Sequence, residues 1–165
     1  AYQTLLEVSR EVQAEGWSYN KEYHYDMTPD TNKQIPIANN ILQIDATRNA
    51  ANVQIDVVRR DGKLYDKANH TYEFANKVSC DIVWLLDWVD IPTPIADYIV
   101  SRAAAIVSSR LVGDAEQYEI LQQKEQFNRA MALEYECNQG DYTFFGHSGD
   151  TNTYNSYKPY NALYR

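Results

Sequence analysis

Apolar and polar positions along the chain change period several times, and each change marks an element. Over residues 1–15, Leu5, Val8 and Val12 recur at spacings of three and four with Leu6 beside them, which predicts a helix that Gly16 stops. From Trp17 the period becomes two. Trp17, Tyr19, Tyr23, Tyr25 and Met27 share one face, broken only by Lys21, and Ser18, Asn20, Glu22, His24 and Asp26 share the other. That predicts a half-buried strand whose aromatic face is sheet core, with an interaction surface as the rival reading. The stretch from Asp26 to Ile37, with Pro29 and Pro36, reads as loop, and Ile41, Leu42 and Ile44 as a short strand. Val53, Ile55 and Val57 alternate into Arg60-Asp61-Gly62-Lys63, and Leu64 and Tyr65 return. Asp-Gly suits a two-residue hairpin turn because both central residues need positive φ. Tyr72 and Phe74 suggest another short strand. Val78, Cys80, Ile82, Trp84, Leu86 and Trp88 alternate over eleven residues. The segment Ile82 to Leu86 is apolar on both faces, which places this strand centrally in a sheet.

After Ile91-Pro92 the period returns to that of a helix. Thr93 is the expected N-cap and Pro94 the first helical residue. Ile95, Ile99, Ala103, Ile106 and Val107 form a stripe that ends near Leu111 and Gly113. Asp114 and Gln117 suggest a capping box for a second helix reaching about Cys137, with Ile120, Phe127, Met131 and Tyr135 as its core stripe. A short connection between two long helices predicts an antiparallel hairpin. The fold class expected is therefore α+β. An antiparallel sheet from residues 17–90 packs with an N-terminal helix and a helical hairpin over 94–137, in one domain spanning 1–138.

Residues 139–165 differ from the rest. They hold Tyr142, Phe144, Phe145, Tyr154, Tyr157, Tyr160 and Tyr164, but Leu163 is the only Leu, Ile, Val or Met. No helix or strand period holds. An aromatic, polar, aliphatic-poor segment fits a tail that becomes ordered on a partner; folding back on its own domain, or staying disordered, are the alternatives.

Composition narrows the function. The 165 residues carry a net charge of −8, from 15 basic and 23 acidic side chains, which argues against general affinity for nucleic acid or anionic membrane. No apolar run is long enough to span a bilayer, and the first residues lack the pattern of a signal peptide. The missing starting Met suggests further sequence upstream. Two cysteines, Cys80 and Cys137, fit a reducing compartment and no disulfide scaffold.

Catalytic and ligand motifs are absent. No glycine-rich phosphate loop or nucleophile elbow occurs, and His24, His70 and His147 never pair at helical spacing. Asp150 to Tyr154 begins like a calcium loop but lacks its glycine and terminal Glu. No cofactor or metal is expected. Glu134, Glu136 and Asp141 cluster in sequence and are the candidates for a glycan or peptidoglycan hydrolase, the alternative function; a solvated acidic surface is the simpler reading. Ala103-Ala104-Ala105, between Arg102 and Arg110, permits close approach either within the chain or from another subunit.

Several strings, in order, resemble the tail tubular protein A family, the head–tail adaptors of short-tailed bacteriophages. They are Gly16-Trp17-Ser18-Tyr19-Asn20, Ile82 through Trp88 with Ile91-Pro92, Tyr98 through Ala103, Leu111 through Glu116, and Glu134-Tyr135-Glu136 with Gly140-Asp141-Tyr142. The resemblance implies a virion neck protein, assembled in the host cytoplasm, in a ring of twelve. Its partners are further copies of itself, the portal protein, the nozzle protein (tail tubular protein B) and the tail fibre protein. DNA passes through the lumen without specific binding, and no enzyme activity is expected. The aromatic tail is expected to meet the portal or a neighbouring subunit, and Arg60, Asp61, Gly62 and Lys63 the nozzle or fibres.

Overall fold

A computed structural model describes residues 1–49, 55–111 and 113–140. It has the expected α+β architecture. Helix α1 (Tyr2–Gln13) leads into β1 (Lys21–Met27) and β2 (Ile41–Asn49). The hairpin strands β3 (Val57–Arg60) and β4 (Lys63–Asp66) follow, then β5 (Val78–Trp84). A 3-10 turn at Trp88–Asp90 precedes α2 (Thr93–Leu111) and α3 (Ala115–Gln139), which form a helical hairpin.

The three-stranded sheet has the order β1-β5-β2, antiparallel throughout, so the strand richest in apolar residues is central. The β3–β4 pair forms a second, two-stranded sheet. Its turn residues Asp61 (φ 52) and Gly62 (φ 70) take the left-handed backbone that the Asp-Gly pair predicted. Residues 35–37 run beside β4: Leu64 N–H donates to the Ile35 carbonyl, and Ile37 N–H to that of Gly62. This edge pairing brings Ile35 and Ile37 into a core with Ile41, Leu64, Val78 and Ile82. Cys80 lies in the same core, and burial pushes its thiol up to about 12, so it behaves as a small apolar side chain.

A second core joins the helices. Val8 and Val12 of α1 meet Trp17, Ile95, Tyr98 and Ile99, and α3 contributes Ala132. Asp114 caps α3 by accepting from Glu116 N–H at 3.0 Å.

Several expectations need correction. Only Lys21–Met27 of the predicted aromatic strand is a strand; residues 18–20 form a turn. Tyr23 and Tyr25 are exposed rather than sheet core. The cause is a bulge between Glu22 and Tyr25, with His24 at φ 58 and its N–H on the Asp81 carboxylate. It breaks the alternation between Glu22 and Tyr25, and Tyr25 stands edge-on against Trp84 at the margin of the core. Strand β5 ends at Trp84, because Leu85 N–H turns to the Asn40 carbonyl. Tyr72 and Phe74 form no strand. Phe74 fills the sheet core, and Tyr72 stacks edge-on against Tyr65. Thr93 is already helical, and the Pro92 carbonyl accepts from Ile95 and Ala96 N–H.

The largest correction concerns α3. Its expected core residues Ile120, Phe127 and Met131 are 67%, 66% and 43% exposed. The less exposed line is one residue further on, at Leu121, Glu125, Asn128, Ala132 and Tyr135. The side of α2 it meets carries small residues, Ser101, Ala105 and Ser108, all buried. Small side chains on that side allow close approach, so the contact favours geometry over hydrophobicity. Ala103 and Ala105 are thus used within the chain, whereas Ala104 is half-buried on the outer side.

Candidate interaction surfaces

Four places carry candidate chemistry: the joint between the two cores, the hairpin tip, the outer faces of the helices, and the aromatic tail. The joint is the most highly bonded. Trp17 Nε1–H donates to the Val12 carbonyl at 2.7 Å. Buried Asn20 accepts from Trp17 N–H at 2.9 Å and donates to the carbonyls of Gln13 and Trp84 at 2.9 and 2.8 Å. Buried Gln13 reaches across to Leu86, donating to its carbonyl at 3.2 Å and accepting its N–H at 2.8 Å. Gly16, at φ 79, lies so close to β5 that an added Cβ would meet Val83 Cγ2 at 3.3 Å.

The helical hairpin is tied to the same place. The Glu136 carboxylate accepts both N–H and Oγ–H of Ser18 at 2.9 Å. The Tyr98 hydroxyl, inside the helical core, accepts from Arg102 at 3.2 Å and from Arg129 at 2.8 Å. Both guanidinium groups also reach Glu15. Tyr19 packs beside Tyr135, and burial, with Glu136 nearby, holds its phenol well above the ordinary value. The strings Gly16–Asn20, Ile82–Trp88, Tyr98–Ala103 and Glu134–Glu136 therefore converge on one structural joint.

This arrangement bears on the carboxylates considered for hydrolysis. Glu136 is engaged with Ser18 and Glu134 is exposed on α3, while Asp141 lies outside the described residues. Among the described residues, no group of three or more His, Cys, Asp or Glu side chains is placed to hold a metal, and no helix is long and apolar enough to cross a membrane.

The hairpin tip is a bonded cluster. The Arg60 guanidinium lies over the Tyr65 ring at 4.1 Å, Tyr65 packs on Tyr72 at 4.8 Å, and the Tyr72 hydroxyl donates to Asp61 at 2.9 Å. That bond to Asp61 raises the Tyr72 pKa. Lys63 Nζ donates to Gln34 at 2.7 Å, and Gly62 is exposed. The four tip residues predicted from the sequence thus sit together, with Arg60 and Asp61 exposed.

Periodicity alone did not single out the outer side of the helices as a surface. On α2 a second stripe, Val100, Ala104, Val107 and Leu111, is open or half-open. Its 4-3-4 spacing was visible but overlaps the core stripe at Val107. The aromatic tail residues Tyr142, Phe144, Phe145, Tyr154, Tyr157, Tyr160 and Tyr164 lie outside the described residues.

Comparison with known proteins agrees with the resemblance in the strings. No curated protein matches the chain. The family model of the tail tubular proteins matches residues 1–142, which takes in every described element and the whole joint. The chain therefore belongs to the tail tubular protein family and is a structural component of a bacteriophage tail.

Proposed function

We propose that this chain is the head–tail adaptor: a subunit of a ring that joins the portal to the nozzle and lines the DNA exit channel. The observation that carries the reading is the pairing of unlike surfaces on one braced body within a tail tubular fold. One is a charged, aromatic hairpin tip on the sheet side; the other is an open apolar face on the helical side. A neck protein has to join rings that differ from each other, and two chemically distinct surfaces suit that task. The net charge of −8 suits a channel through which DNA passes without sticking. The hairpin tip, Arg60 to Lys63, faces the nozzle or fibres. The aromatic tail meets the portal or a neighbouring adaptor.

The test is the mass of the complex formed when the full chain is mixed with its cognate purified portal ring. A saturating gain of twelve subunits per portal ring is the expected result. No association overturns the adaptor reading. The same titration with a chain ending at residue 140 addresses the tail; unchanged affinity removes it from the portal contact.

A further inference from the structure

The hairpin tip carries chemistry that the adaptor reading does not use. Of the six glycines in the chain, only Gly62 follows an Asp or Asn. At such a step the glycine nitrogen can reach the carboxyl of the side chain before it, because no Cβ screens the approach. The fold leaves this step open. A Cβ added at Gly62 would meet nothing within 4 Å, so a five-membered imide ring has room. Asp61 and Gly62 are both exposed, so water reaches them. The β3–β4 ladder pairs Arg60 with Lys63, which leaves the Gly62 nitrogen inside the turn and off the ladder. On the other side of that residue, the Gly62 carbonyl is anchored by Ile37 N–H at 2.8 Å. One contact opposes reaction. The Tyr72 hydroxyl donates to Asp61 Oδ2 at 2.9 Å, and Tyr72 is itself packed on Tyr65, beside Arg60. A hydrogen bond to a carboxylate favours its ionised form and fixes its direction.

We infer that Asp61–Gly62 is a site of spontaneous rearrangement to isoaspartate, and that Tyr72 is the positioning residue that holds the step back. The ring closes from the neutral carboxyl, so the bond from Tyr72 acts as a latch on the ionised form. When the latch opens, the Gly62 nitrogen attacks Asp61 Cγ. The N–Cγ bond forms, and the Cγ hydroxyl leaves with the Gly62 amide proton as water. A second water then opens the ring at one of its two carbonyls. Cleavage of the new N–Cγ bond restores aspartate. Cleavage between the nitrogen and the Asp61 backbone carbonyl leaves the chain running through Cβ and Cγ, with a free carboxylate on Cα. One water is lost and one is gained, and nothing is oxidised. The product adds one atom to the main chain of a two-residue turn, on which the Arg60–Lys63 register depends. It also moves the carboxylate away from the Tyr72 hydroxyl.

The inference concerns the chemistry of the tip and stands whether or not the tip meets the nozzle. The test warms the folded full chain at neutral pH for weeks, then digests it with a protease that cuts before aspartate but not before isoaspartate. Mass spectrometry reads the uncut fraction at residue 61, and labelling by an isoaspartyl methyltransferase confirms it. Isoaspartate is expected at residue 61 and not at Asp56 or Asp66, which precede Val57 and Lys67. Tyr72→Phe, shown to be folded by circular dichroism, should convert about threefold faster or more, the size expected for losing one exposed hydrogen bond. Gly62→Ala should suppress the product, because its Cβ crowds the attacking nitrogen. A folded chain that gains no isoaspartate at residue 61, while the same chain unfolded in urea does, overturns the site. Equal rates for wild type and folded Tyr72→Phe overturn the latch.

Discussion

The sheet unit and the helical unit use their apolar residues in opposite ways. Around β5 the core is closed: Ile35, Ile37, Leu64, Val78 and Ile82 are buried, drawn together from strands and from the 35–37 segment. In the helical unit the core is narrow, centred on Val12, Trp17, Tyr98 and Ile99, and open apolar side chains stand on all three helices. The buried face of the three-stranded sheet is covered from within the chain, by the β3–β4 hairpin through Val57 and Leu64 and by Ile35 and Ile37. A three-helix layer covers only the sides where helices touch each other. Among the described residues the sheet unit thus closes its core within one chain, whereas the helical unit leaves apolar side chains exposed.

The sharpest break in that contrast comes from truncating one side chain on each side of it. Ile82→Ala empties a fully buried site at the centre of the sheet and should cost about 3–4 kcal/mol by urea denaturation. Ile120→Ala removes similar bulk from an exposed site and should change the isolated subunit by less than about 0.5 kcal/mol. Equal losses at the two positions would refute the division into a closed and an open unit.

Asn20→Ala comes next in size. It leaves the Trp17 N–H and the carbonyls of Gln13 and Trp84 without that partner, and should cost about 2–3 kcal/mol. Tryptophan fluorescence and far-ultraviolet dichroism should then unfold at separate midpoints, as the two units lose their coupling. Coincident midpoints would mean that another contact holds the units together.

A smaller loss than at Asn20 is expected at the hairpin. Gly62→Ala places a Cβ on a backbone at φ 70 with open space around it, so only the conformational cost of about 1 kcal/mol applies. Combined with Asp61→Ala, which removes the acceptor for Tyr72, it should weaken attachment of the nozzle in an assembly assay and spare the portal. Normal nozzle attachment would count against the tip as that contact.

These contrasts also show what was legible in the sequence. The Asp61-Gly62 turn was readable because its signal is local: two residues fix the backbone signs and the register follows. Strand β5 was readable because a central strand is apolar on both faces. The face of α3 was not. Its hydrophobic stripe pointed to Ile120, Phe127 and Met131, but the face against α2 is selected by the small residues opposite, Ser101, Ala105 and Ser108, which periodicity on α3 cannot register. The exposure of Tyr23 and Tyr25 was hidden for a related reason, since a bulge at His24 interrupts the alternation between Glu22 and Tyr25. At the hairpin the residues were found, but not the Arg60–Tyr65–Tyr72–Asp61 chain that links them, because Tyr72 arrives from a segment without strand period.

Asn20 and Gln13 reach Trp84 and Leu86, at the end of the strand that has neighbours on both sides. A tilt of the helical layer is therefore delivered to the middle of the sheet rather than to its rim. The β1 and β2 ladders carry it outward together, and the β3–β4 hairpin follows through the Arg59 guanidinium on the Ile41 carbonyl. A contact that repositions the helices is thus expected to be felt at the hairpin tip, along a path of hydrogen bonds through Trp84 and Ile41.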